Sequence, residues 1–183
     1  SISFNPKVFY YPSEKTTVWF GLNGTYDDRV GGDITKIEDG ENGIHQYTEE
    51  NDSKRLSSQL VYQTQLDSVS SLEFINSVSF FDRNLTVPDF NFDGKQTNTF
   101  TEISYNTASE KTDWIIGANL YTSNFDENDN ALLQRDQKDV TFGAFANNIY
   151  DLSDNWILET EKIIKNLTDR KIIVHNKFSK ESL

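Results

Sequence analysis

Residues 55–80, RLSSQLVYQTQLDSVSSLEFINSVSF, decide how the chain folds. In the first half Leu56, Leu60, Tyr62 and Leu66 alternate with Arg55, Ser57, Gln59, Gln63 and Gln65; in the second, Leu72, Phe74, Val78 and Phe80 alternate with Ser71, Glu73, Ser77 and Ser79. A period of two puts the apolar set on one face of a strand and the polar set on the other. Asp67-Ser68-Val69 between the halves reads as a tight turn. Working outward, Ile2, Phe4, Val8 and Tyr10 share one face against Ser1, Ser3, Asn5 and Lys7, and Val18, Phe20, Leu22 and Tyr26 oppose Thr17, Gly21, Asn23 and Thr25. Four further strands are expected at residues 97–106, 112–123 (Trp114, Ile116, Ala118 and Leu120 on one side), 138–150 and 155–160. Pro6 sits awkwardly in the first strand because it has no N–H for a ladder.

The connections fall into two kinds. Short turns are read at residues 12–15, 67–69, 107–111 and 151–154, and long, polar, acidic loops at 27–53, 83–96 and 124–137. Turn and loop alternate strictly, which puts short connections at one end of the strands and long ones at the other, as in outer-membrane barrels. Strands of about 10–13 residues also suit the roughly 25 Å apolar band of such a barrel better than a soluble sheet, whose strands average about six. No Asp, Glu, Lys or Arg falls on the apolar faces of the first four strands, and aromatics such as Tyr10, Trp19, Tyr62, Phe80, Trp114, Tyr150 and Trp156 gather near strand ends, where interfacial girdles lie. The expected fold is all-β: an antiparallel up-and-down meander of about eight long strands, part of a larger transmembrane barrel.

Composition narrows the function classes. With 29 acidic against 17 basic side chains and a net charge of −12 among 183 residues, a nucleic-acid surface is not expected. Aromatics at 13% set the chain apart from disordered acidic sequences. There is no Cys, so no disulfide framework, thiolate metal site or Cys nucleophile, and only two His, at 45 and 175. Apolar runs are far too short for a membrane-spanning helix. Met is absent even at position 1, which reads as a piece of a longer protein or a processed product.

Three segments carry a family resemblance: SISFNPKVFYYPSEKTTVWFGLNGTYDDRVGGD (residues 1–33), RLSSQLVYQTQLDSVSSLEFINSVSFFDRNLTVPDFNF (55–92) and TFGAFANNIYDLSDNWILET (141–160). The last resembles a unit in which a Gly-x-Phe strand, a short turn and a Trp-bearing strand follow one another. Together they resemble the barrel of TonB-dependent outer-membrane receptors of Bacteroidetes-type bacteria. The resemblance implies the bacterial outer membrane, a 22-stranded barrel closed by an N-terminal plug, and import of a siderophore, cobalamin or similar nutrient with energy delivered through TonB. The implied partners are outer-membrane lipid, the remaining strands and plug of the parent receptor, TonB through that plug, and a small nutrient ligand. It implies no catalytic residue and no cofactor. After residue 160 the pattern departs: Lys162, Lys165, Arg170, Lys171, Lys177 and Lys180 stand against Glu161, Asp169 and Glu181. Residues 1–160 are therefore read as barrel and 161–183 as a basic tail, a possible read-through.

The candidate ligand-binding residues lie in the expected outer loops. Asp27, Asp28, Arg29 and Asp33 belong to an acidic first loop suited to a cationic or metal-bearing ligand, since hard cations take several carboxylate oxygens. Arg83, Asp89, Phe90 and Phe92 combine polar and aromatic groups at a second. His45 is a lone loop histidine, and residues 126–130, DENDN, lack the downstream Gly and Glu of a Ca²⁺ loop. No pair of carboxylates falls at a catalytic spacing, so an enzyme is not expected. Two other readings stand beside the receptor segment: a complete eight-stranded outer-membrane barrel, and a secreted β-sandwich adhesin or glycan-binding module whose aromatics form a core.

Overall fold

The computed structural model describes residues 1–40, 44, 46–127, 133–153 and 156–176. The chain is 83% strand and 4% helix, arranged as one antiparallel up-and-down sheet that is not closed. The strands are β1 (Ile2–Phe4), β2 (Lys7–Ser13), β3 (Thr16–Gly32), β4 (Thr48–Gln65), β5 (Ser70–Val87), β6 (Phe90–Ala108), β7 (Thr112–Glu127), β8 (Leu133–Ser153) and β9 (Trp156–Asn176). β1 and β2 both pair with β3, and each later strand pairs with its sequence neighbour. The expected first strand is thus two pieces in one position, divided at Asn5-Pro6, where Pro6 still accepts a bond from Leu22 N–H at 3.0 Å. Eight positions result, as the alternation predicts.

Three of the four short connections form as read; at the fourth, read at 151–154, residues 151–153 belong to β8 and residue 154 lies outside the described residues. Ser13 pairs with Thr16 across Glu14-Lys15. Asp67 accepts the N–H groups of Val69 (2.9 Å) and Ser70 (2.8 Å), an Asx turn that fixes the β4–β5 hairpin. Ser109 N–H bonds Thr112 O at 2.9 Å between β6 and β7.

The long connections do not form as read. β3 and β4 remain paired out to Gly32 and Thr48, so the first loop shrinks to residues 33–47 and carries a short helix, α1 (Ile34–Asp39). β5 and β6 pair as far as Val87 and Phe90, leaving only Pro88-Asp89, with Asp89 at φ 65°. Asp27, Asp28, Arg29, Arg83, Phe90 and Phe92 are therefore strand residues, not loop residues. The backbone ladder needs no apolar alternation to continue, and beyond the apolar band that same face turns polar and charged. The composition change at residue 160 likewise does not end β9: Thr160 pairs with Asn148, Glu161 with Asn147, and the ladder runs on to Asn176.

A single sheet has no second layer to make a core. Among the described residues Val61, 7% exposed, is the one buried apolar side chain. The accessible surface is 13324 Å², against about 9,000 Å² for a compact monomer of this mass. The apolar face is the exposed one. Phe80 is 52% and Ile116 50% accessible, and Ile2, Phe4, Val8, Tyr10, Phe20, Leu56, Tyr62, Leu120 and Phe142 share that face and that exposure. The other face is crowded. A Cβ on Gly117 would strike the Phe145 ring, and one on Gly143 would lie 2.5 Å from Asn119 Oδ1. Along β3 the side chains of Thr17, Trp19, Asn23 and Thr25 are less exposed than Phe20 and Tyr26 opposite them, which makes the polar face the concave side.

Candidate functional site

Three regions follow from the register: an exposed apolar band, a charged outer end beyond it, and a concave polar face.

The band is bounded by aromatics. Tyr62 pairs with Phe74, Phe74 with Ile103, Ile103 with Ala118 and Ala118 with Ala144. Relative to that rung, Tyr105 on β6 lies two residues toward the short turns, Trp114 on β7 four, and Tyr150 on β8 six. At about 3.3 Å per residue and 4.8 Å per strand, the aromatic edge slopes against the rungs by about 35°, 43° and 46° in turn. The opposite edge steps the same way, from Tyr26 on β3 through Phe80 on β5 to Leu120 on β7. On β5, Leu72 to Phe80 spans roughly 26 Å along the strand, or about 20 Å along the normal of a wall tilted by about 40°. Polar groups inside the band are satisfied by cross-strand partners. Asn76 Nδ2 donates to Thr101 Oγ1 at 2.8 Å, and the Thr99 and Thr122 hydroxyls bond at 2.6 Å.

Beyond the band the same face becomes charged. One rung reads Tyr26, Lys54, Asp82, Lys95, Asp126 and the next Asp28, Asp52, Asn84, Asp93. Lys54 Nζ lies 3.4 Å from Asp52 Oδ1, Lys95 Nζ 3.9 Å from Asp82 Oδ2, and Tyr26 Oη donates to Asp52 at 2.9 Å. No group of three or more Asp, Glu or His among the described residues is arranged to hold a metal ion.

The expected site residues divide between these surfaces. Asp28 faces the apolar side, while Asp27, Arg29, Arg83, Phe90 and Phe92 face the concave side. Asp27 and Arg29 pair at 2.7 Å; Arg83 Nε donates to Asn51 Oδ1 at 2.9 Å; Phe92 stacks on Phe125 with centroids 6.3 Å apart. Asp33 caps α1 by accepting Thr35 N–H at 3.0 Å, and Asp89 forms the β5–β6 turn. These two roles are structural. His45 lies outside the described residues, as do positions 128–130 of the DENDN segment.

Two features had no sequence flag. At the end of the β7–β8 hairpin Glu127, 4% exposed, accepts Arg135 N–H (2.8 Å), Nε (3.1 Å) and NH2 (3.0 Å). The Arg135 hydrogen bonds outweigh desolvation and hold the Glu127 carboxyl below its ordinary pKa. The second is a concave basin under β2–β5 bearing Lys7 and Arg55. Both features join residues through register rather than local spacing.

No family profile, characterised protein or solved structure matches this chain.

Proposed function

We propose that the chain is a segment of the wall of an outer-membrane active-transport receptor of the TonB-dependent kind. It supplies barrel strands and, beyond the membrane, the paired strand ends that help form the mouth where a siderophore, cobalamin or similar nutrient is captured. The observation that carries this reading is the exposed apolar band whose two edges slope by about 35–46° across the rungs, one of them marked by aromatics throughout, close to the roughly 35–45° strand tilt of membrane barrels. A plane cutting tilted strands displaces the polarity boundary by a residue or so per strand; a soluble sheet has no reason to do this. The receptor class rests on the sequence resemblance. The unpaired edges at β1–β2 and β9 belong, in this reading, against the remaining strands of the parent barrel, with the plug inside and TonB engaged through it. The charged outer end stands clear of lipid on the side of the longer strand extensions.

The test uses the protein that carries this chain, in vesicles of brominated phosphatidylcholine. Trp114, on the band, is expected to be strongly quenched in a variant retaining it as sole tryptophan, and Trp19, on the concave face, only weakly in its counterpart. Equal quenching of both, or of neither, overturns the membrane reading.

A further inference from the structure

The concave basin sets an electrostatic puzzle. In a chain of net charge −12 four cations among the described residues have carboxylate partners: Arg29 on Asp27, Lys54 on Asp52, Lys95 on Asp82, Arg135 on Glu127. Lys7 and Arg55 do not. Lys7 Nζ sits 5.0 Å from the centroid of the Trp19 ring, and the Arg55 guanidinium 4.9 Å from that of Phe81. Neither makes a hydrogen bond or ion pair among the described residues. A ring face steadies a cation without using its N–H donors.

Both cations line one depression of about 470 Å³ on the concave face, floored by Asn23, Ser57, Gln59, Ser77 and Ser79. No carboxylate lines it. Those five side chains make no hydrogen bond among the described residues, so five neutral donors face the same space as the two cations. The space exists because the floor is small: at Gly21 a Cβ would already lie 3.3 Å from Trp19 and 3.5 Å from Lys7. The size suits a single small molecule. A concave, low-dielectric wall also focuses the field of its charges. On a protein otherwise repelling anions, unspent positive charge and unspent donors converge at one place.

We propose that this basin binds a small oxyanion-bearing polar solute, its anionic oxygens lying between Lys7 and Arg55 and its remaining polar atoms taken by the hydroxyls and amides of the floor. The proposal rests on the barrel reading only in placing the basin on the inner wall.

The experiment is isothermal titration of the detergent-solubilised protein that carries this chain with citrate at low salt, with sorbitol as the uncharged hydroxyl-rich probe. Citrate is expected to bind saturably and sorbitol not. Lys7→Gln and Arg55→Gln are each expected to weaken citrate about 10- to 100-fold, the size of one charge-assisted hydrogen bond. Arg55→Lys keeps binding within about threefold because it keeps the charge. Lys111→Gln, which removes an equal charge at the β6–β7 turn, is expected to leave it unchanged. No saturable binding, or an equal loss on Lys111→Gln, overturns the proposal. The two readings fail separately: a quenched Trp114 without citrate binding removes only the basin, and Lys7-dependent citrate binding in a protein that brominated lipid does not reach removes only the membrane.

Discussion

Leu60→Lys is the substitution that separates a lipid-facing band from a merely exposed one. Leu60 pairs with Phe20 and Asn76 on the apolar face, four residues from Leu56. That offset is about 13 Å along the strand, or about 10 Å along the normal at a tilt near 40°, half the depth of the band. A lysine there costs about 2–4 kcal/mol in a bilayer, a roughly 30- to 900-fold shift in the folding equilibrium. Gln59→Lys, one residue away on the concave face, meets water and is expected to cost less than about 1 kcal/mol even with Lys7 and Arg55 nearby. The assay is urea unfolding of the full protein in phosphatidylcholine vesicles, followed by the heat-dependent gel shift, with Leu60→Ala as reference for the lost side chain. Equal costs at positions 59 and 60 would falsify the face assignment. A water-soluble sheet would show no penalty at the half-buried Leu60 beyond that of Leu60→Ala.

Two further outcomes are expected. Because the folded pKa of Glu127 is depressed, its clamp contributes fully above the ordinary carboxyl range near pH 4.3 and is lost as pH falls through the lower folded value; hydrogen exchange at the outer ends of β7 and β8 should rise in acid, and Arg135→Gln should raise it already at neutral pH. Gly117→Ala should cost about 1–3 kcal/mol by driving a methyl into the Phe145 ring, and Phe145→Ala in the same chain should recover part of that loss, as the midpoint of unfolding would report.

The meander was legible wherever one strand face was apolar. Leu56 to Phe80 could be read as a hairpin because the residues obey a period of two and Asp67 closes its own turn. Legibility ended at the outer strand ends. Asp28, Asp52, Asn84 and Asp93 form one rung, and nothing in a run of charges distinguishes a paired polar strand from a loop. For the same reason Asp27 and Asp28, neighbours in one acidic segment, were read together although their faces are opposite. β9 past Thr160 was hidden by its basic composition, which the ladder tolerates. Of the functional surfaces, the exposed band was visible in the alternation. The basin was not, because Lys7, Asn23 and Arg55 come from three separate segments that only the pairing of β2, β3 and β4 brings together.

Every ladder in this sheet joins segments that follow one another in the chain, apart from the short β1. Such a wall behaves as a tape of interchangeable hairpins. Inserting or deleting one unit leaves each remaining strand with a sequence neighbour to pair with and changes only the width of the sheet, so in the barrel proposed above the circumference could evolve by gene duplication and loss without the repacking that a shared interior would demand.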